Sequence, residues 1–395
     1  MKRQFRWSLS LGRQPWLLSI AAWISLSGGL SPAQALPKTV VNPILLQVQQ
    51  CIQRKLVQQN IPPQNTTLTQ EISTRCVLSV VMLNPDGTVR PDASARMAEL
   101  LRATGTALPK AAGQGQANIT LQKLPNQGIF TVPVQIKNQT LSFVLDSGAS
   151  NSMVDTQVAQ RLGLQGQAVP SDLLGSLAIG QQFAKQKVSL YQLPPITVGQ
   201  AQVSRLAGLG LSTAVLPFRS AGVLGLDFLS RFDVILNPQS LNLRLVPSTP
   251  PIASGLPLEG RLGVMTTPTV YINGKGPYRF LLDTGASITT LSEPLARRLA
   301  LRTYSDARFY VAGWGGNTQA KQAQLERFNF PTQQISKLNI LVVNSPFFQS
   351  LGVEGIIGQD ILNRYVQHWR FGPPGPLGSP ETGSLNLTPL GSGLR

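Results

Sequence analysis

One histidine, His368, and two cysteines, Cys51 and Cys76, occur among 395 residues. Those scarcities exclude a good deal. A Ser-His-Asp or Cys-His triad would have to be built on His368 alone, near the end of the chain. No grouping of His, Cys and carboxylates has zinc-ligand spacing, so no metal is expected. A phosphate loop with its lysine is missing, as is a dinucleotide fingerprint, so no cofactor is expected either. Charged residues are few at 13%, and aromatics make up only 6%. Acidic residues (17) are half as numerous as basic ones (34), which leaves a formal charge of +17. The basic residues are scattered, not packed into runs. That argues against nucleic acid as a partner and for a solvated basic surface with a weak attraction to anionic envelopes. Hydrolytic chemistry in such a chain has to come from carboxylates.

Glycine (36) and proline (30) are abundant, which points to a turn-rich, β-rich chain long enough for two or three domains. Residues 1–35 read as a signal peptide. Lys2, Arg3, Arg6 and Arg13 precede a mostly apolar run from Trp16 to Leu30, and Ala33-Gln34-Ala35 is a small-x-small cleavage site. No later segment has the length and apolarity of a span, so export to a periplasmic or secreted location is expected, with no integral membrane segment after cleavage.

Residues 36–104 read as a small helical region. Val41, Ile44, Leu45, Val48, Ile52 and Leu56 recur at helical spacing behind an Asn42 cap and Pro43. Further helices are predicted from Thr67, where Thr67 and Gln70 have capping-box spacing, and from Asp92 to Thr104. Cys51 and Cys76, one in each of the first two helices, are a candidate disulfide for an oxidising compartment. Residues 105–127, rich in Gly, Ala and Gln, read as a linker.

From residue 128 onward the chain repeats itself. FVLDSGAS (143–150) returns as FLLDTGAS (280–287), with the two aspartates, Asp146 and Asp283, 137 residues apart. An apolar strand running into Asp, a small hydroxyl residue and Gly would carry a carboxylate out of a core and turn sharply behind it. Two such carboxylates on matching scaffolds suggest a dyad sharing one proton. Fifteen residues past each Asp a short helical segment ends, at Arg161 and Arg298. Farther on, VLGLDFLSRF (223–232) matches IIGQDILNRY (356–365). In these, Asp227 and Asp360 are given structural roles, as helix caps and as i,i+4 partners of Arg231 and Arg364.

The pattern resembles the retropepsin-like aspartic proteases, whose units carry an Asp-Thr/Ser-Gly-Ala loop and, later, two apolar residues and a Gly. The matching residues are Asp146-Ser147-Gly148-Ala149 with Val223-Leu224-Gly225, and Asp283-Thr284-Gly285-Ala286 with Ile356-Ile357-Gly358. The resemblance implies an all-β acid-protease fold of two β-barrel lobes related by a pseudo-twofold axis, here preceded by the α-helical region. Lobe 1 would span 128–247 and lobe 2 264–371, joined by a linker at 248–263 and followed by a disordered tail at 372–395. The second copy also stops sooner, without a counterpart to the hairpin DVILNPQSLNLRLV, which leaves its sheet short.

It further implies an exported aspartic endopeptidase acting on a peptide or protein substrate through Asp146 and Asp283. Ser147 and Thr284 would lock the two loops together, and Gly148 and Gly285 would allow the turn behind each carboxylate. Ala149 and Ala286 stand where pepsin-like sites often carry a hydroxyl, which implies a mildly acidic optimum. Gly313-Trp314-Gly315 is a flap candidate, with a poorer one near 174–180. A monomer with an internal pseudo-dimer is expected. The alternatives are a homodimer pairing copies across chains, and a catalytically weak peptide-binding or cell-envelope interaction protein on the same fold.

Overall fold

The computed structural model describes residues 42–62, 66–103, 111–169, 188–212, 220–313, 316–330 and 333–390. The signal-peptide reading of 1–35 and the first flap candidate at 174–180 fall outside these. Asn42 opens the first helix, Pro43–Gln58, by accepting from the N–H groups of Ile44 and Leu45 at 3.0 and 3.1 Å. Its Nδ2 donates to Glu99 at 2.8 Å, which ties that helix to the third, Ala93–Ala103. The second, Thr66–Val77, runs on into a π-helical turn, Leu78–Met82. Ile44, Val48, Ile52, Ile72, Met97 and Leu100 form one buried cluster, and a Cys51–Cys76 disulfide joins the first two helices. Leu377, from the far end of the chain, packs on that cluster and docks it to the rest. Among the described residues no helix is long and apolar enough to cross a membrane.

Both copies of the repeat fold alike. In the first, Phe130–Ile136 and Gln139–Leu145 form a hairpin that delivers Asp146. Gly222–Leu224 then lies parallel to the second of these, with Val223 beside Val144 and Leu224 beside Leu145, and antiparallel to Met153–Asp155. In the second, Val264–Ile272 and Lys275–Leu282 deliver Asp283. Gly355–Ile357 takes the matching place, parallel to the latter and antiparallel to Thr290–Ser292. A glycine opens each inserted strand for lack of room. A Cβ on Gly222 would stand 2.2 Å from the Met153 carbonyl oxygen, and one on Gly355 2.4 Å from that of Thr290. The short helices Thr156–Arg161 and Glu293–Arg298 follow, capped by the side chains of Asp155 and Ser292.

What joins the copies departs from the sequence reading in three places. The segment read as a linker at 105–127 contains strands Ala112–Gln114, Ala117–Thr120 and Gln122–Lys123. The linker at 248–263 contains Leu256–Arg261, and the tail at 372–395, read as disordered, contains Thr382–Pro389. This last strand pairs with Tyr365–Phe371 and restores the hairpin that lobe 2 had seemed to lack. It corresponds to the lobe 1 hairpin of Phe232–Asn237 and Asn242–Pro247.

The two hairpins meet strand on strand, with Val234 opposite Trp369 and Leu236 opposite Gln367. Each outer strand takes one more neighbour, Ala117–Thr120 on one side and Leu256–Arg261 on the other. These segments are short in apolar residues because they are strands of a shared sheet. Ladder hydrogen bonds and a few inward side chains such as Leu243, Leu258 and Leu385 hold them. The result is a largely β, two-lobed protein with a pseudo-twofold between Phe232–Asn237 and Tyr365–Phe371, and a small helical unit at its start.

Candidate active site

The inserted strands aim the aspartates. Leu224 accepts the Asp146 N–H at 3.1 Å and Ile357 accepts that of Asp283 at 3.0 Å, so each loop is hung from the second apolar residue of its own apolar-apolar-Gly segment. The loops then interlock. Ser147 Oγ donates to the Leu282 carbonyl at 2.9 Å and accepts from the Thr284 N–H at 3.0 Å. Thr284 Oγ1 donates to the Leu145 carbonyl at 2.9 Å and accepts from the Ser147 N–H at 2.9 Å. Both hydroxyls are buried, with every bond crossing from one lobe to the other. Such fully satisfied buried networks fix geometry because breaking one member strands the rest.

Interlocking brings the carboxyls together, and Asp283 and Asp146 hydrogen-bond side chain to side chain. The chain turns at Ser147-Gly148 and at Thr284-Gly285, where the Ala286 N–H donates to the Asp283 carbonyl at 3.3 Å, but not by way of a left-handed glycine. Neither Gly148 nor Gly285 takes a positive φ. What each supplies is space: a Cβ on Gly148 would stand 2.4 Å from Asp283 Cγ, and one on Gly285 2.5 Å from Asp146 Cγ. Each carboxyl therefore seats on the other lobe's glycine. Asp146 Oδ1 accepts from the N–H groups of Gly148 and Ala149 at 2.8 and 3.0 Å, and Asp283 Oδ1 accepts from that of Gly285 at 2.7 Å.

Asp146 is buried and Asp283 keeps part of its surface open. Burial, then the charge of Asp146 and the hydrogen bond between the two, push the Asp283 carboxyl well above the usual range, against the pull of the Gly285 and Ala286 amides. The titration belongs to the pair. Among the described residues no cluster of His, Cys and carboxylates is fit to hold a metal.

Asp227 and Asp360 are structural, as expected, but by another route. Their carboxylates do not hydrogen-bond Arg231 and Arg364, whose Nε atoms donate instead to the backbone carbonyls of Asp227 and Asp360 at 3.2 and 2.9 Å. The N-cap residues, Gly225 and Gly358, have no side chain to offer, and Asp227 Oδ1 accepts the first-turn N–H of Phe228 at 2.8 Å. Each carboxylate bolts down the far end of its Asp loop. Asp227 Oδ1 accepts from the N–H and hydroxyl of Ser152 at 2.8 and 2.7 Å, and Asp360 Oδ1 from those of Thr289 at 2.9 and 2.8 Å. The same hydroxyls accept from the N–H groups of Gly225 and Gly358.

Two models of aspartyl protease families match the chain in tandem. The aspartyl protease model covers residues 132–228, and the gag-polyprotein aspartyl protease model covers residues 269–364. The chain belongs to the retropepsin-like aspartic proteases, with two units fused end to end. A search of curated proteins gives no match.

Within this retropepsin-like frame the remaining candidates fall into place unevenly. Strands Thr303–Gly313 and Gly316–Phe330 form a long hairpin whose last pair is Gly313 with Gly316. Of the flap candidate, Trp314 and Gly315 lie outside the described residues. Cys51 and Cys76 belong to the helical unit. Sequence reasoning missed Gln359, buried with its Nε2 donating to the Thr284 carbonyl at 3.0 Å, and Asn363, which donates to the Gly128 carbonyl at 2.8 Å. One signal for Gln359 was available, since the first copy has Leu226 at the same place. A cavity of about 700 Å³ is lined by Tyr271, Phe330 and Leu387 among others and holds no acid, lysine or histidine. It is not the seat of the chemistry.

Proposed function

We propose that the protein is an exported aspartic endopeptidase in which Asp146 and Asp283 together activate water against a peptide bond. The observation that carries this is the pair itself: two carboxyls in mutual hydrogen bond, one from each Asp-hydroxyl-Gly loop, inside a cross-lobe lock. Like charges so close do not both ionise readily, so the pair holds one proton over a wide pH range. The ionised member takes a proton from water as the oxygen attacks the scissile carbonyl carbon. The protonated member donates to the carbonyl oxygen, giving a neutral gem-diol. Proton return to the nitrogen then breaks the C–N bond and releases amine and acid, with the dyad again singly protonated. No covalent intermediate forms on the protein.

Ser147 and Thr284 hold the loops, and Gly148 and Gly285 leave room for the opposite carboxyls. The optimum is mildly acidic, since Ala149 and Ala286 offer no hydroxyl to stabilise the ionised form. The disulfide in the helical unit is compatible with an oxidising compartment, and the basic, apolar 1–35 segment with export. In domain terms, the helices Pro43–Gln58, Thr66–Val77 and Ala93–Ala103 make up a unit ahead of the two lobes.

Asp146→Asn and Asp283→Asn, made separately, test the reading. Each should lower kcat on a peptide library by at least about 1,000-fold, since either change removes a partner in the proton shuttle. Unchanged peptide affinity and no cleavage even in the wild type would favour a binding module on this fold. Substantial cleavage by either variant would exclude the dyad.

A further inference from the structure

Duplication makes the two halves of the site nearly equal, which gives weight to a buried position beside the Asp loops where an apolar residue in one copy stands against a carboxamide in the other. Ser152 with Asp227 repeats as Thr289 with Asp360, but Leu226 repeats as Gln359. Gln359 is 1% exposed, and a carboxamide buried where its twin is leucine needs a hydrogen-bonding reason. Its Nε2 donates to the Thr284 carbonyl at 3.0 Å, and its own N–H is held by the Ala286 carbonyl at 2.8 Å. The Thr284 carbonyl and the Gly285 N–H are the two ends of one peptide unit, and that N–H donates to Asp283 Oδ1 at 2.7 Å. A donor on the carbonyl end polarises the unit and strengthens the donor at the other end. In lobe 1 the Ser147–Gly148 peptide donates to Asp146 Oδ1 in the same way, at 2.8 Å, but Leu226 has nothing to give its carbonyl.

We propose that Gln359 is a positioning residue for the dyad, fastening the Thr284–Gly285 peptide against Asp283 and making the two lobes' holds on the pair unequal. The proposal rests on the dyad reading above. Gln359 is buried behind the loop and acts through one peptide bond. By strengthening a donor to a carboxylate, it favours the ionised state of the pair that activates water. Its loss makes that state harder to reach.

The test compares pH profiles of kcat/KM for the wild type, Gln359→Leu, Gln359→Met and Leu226→Gln, with melting temperatures alongside. Leucine is lobe 1's own residue and methionine keeps the length of glutamine without its donor. Both should move the acid limb to higher pH by about 0.2–0.6 units and lower kcat about 2- to 5-fold, with KM unchanged. Leu226→Gln, which adds the missing donor, should move the limb the other way, and adding it to Gln359→Leu should bring the limb back. A limb that stays fixed in all the variants overturns the proposal. So does a loss of rate that follows melting temperature while the limb stays put. If the position-359 variants give no folded protein, the limb of Leu226→Gln decides. Activity surviving in Asp146→Asn or Asp283→Asn would bring down the dyad itself, whereas inactive Asn variants with an unmoved limb would bring down only the role of Gln359.

Discussion

At the scale of single residues, Asp227 shows how a carboxylate outside the chemistry sets a stability profile. Three donors converge on its Oδ1, the N–H and hydroxyl of Ser152 and the N–H of Phe228, yet burial outweighs them and raises its pKa to about 6. The folded value lies above the unfolded one, so folding favours the protonated form. The penalty is therefore absent below about pH 4, grows as pH rises through the folded pKa, and is complete above it, at an order of ~3 kcal/mol. Asp227→Asn keeps the Oδ1 acceptor and cannot ionise. Relative to wild type it should gain stability between pH 4 and 7, read as a urea midpoint that rises against the wild type's across that range. An equal pH dependence in the two proteins would mean that the three donors cancel the burial. Asp360, with Thr289 in place of Ser152, is shifted in the same direction, so the double variant should show a larger gain.

At the scale of elements, local pattern and long-range pairing separate cleanly. The lobes were legible because FVLDSGAS and FLLDTGAS each hold a strand, a turn and a reactive group within eight residues. The first helix was legible from Asn42, Pro43 and a 3.6-residue period. The joining strands were not, since Ala117–Thr120 is only four residues long, Thr382–Pro389 lies in a Gly-, Ser- and Pro-rich stretch, and each depends on a ladder from a distant segment. Asp227 misled for a similar reason: Arg231 is four residues away and Ser152 is 75, and only the fold brings the second close. Gln359 and Asn363 reach partners 75 and 235 residues distant.

The strand Thr382–Pro389 carries a direct test. It covers one edge of Leu256–Arg261 and one of Tyr365–Phe371, and Leu385 is buried between them. Truncation after Gly378 should expose both edges and leave an aggregating or insoluble protein, because unpaired edges recruit other chains. Removal of 391–395 alone should leave solubility and melting temperature unchanged. A soluble, monomeric, cooperatively melting product of the longer truncation would refute the structural role of this strand.

For the molecule as a whole, the question is whether one chain completes its own site. Ser147 and Thr284 of the same chain make all four bonds of the lock, and the inter-lobe sheet continues from Phe232–Asn237 directly into Tyr365–Phe371. A site assembled this way owes nothing to concentration. Specific activity should stay flat from nanomolar to micromolar protein, with the chain sedimenting as a monomer. The sharper measurement mixes the two inactive variants, Asp146→Asn and Asp283→Asn, after co-refolding. If copies paired across chains, the mixed dimer would hold one site with both aspartates intact and activity would return. Pairing within a chain leaves every site with one asparagine, so the mixture should be as inactive as either variant alone. Restored cleavage would move the twofold from inside the chain to between two chains.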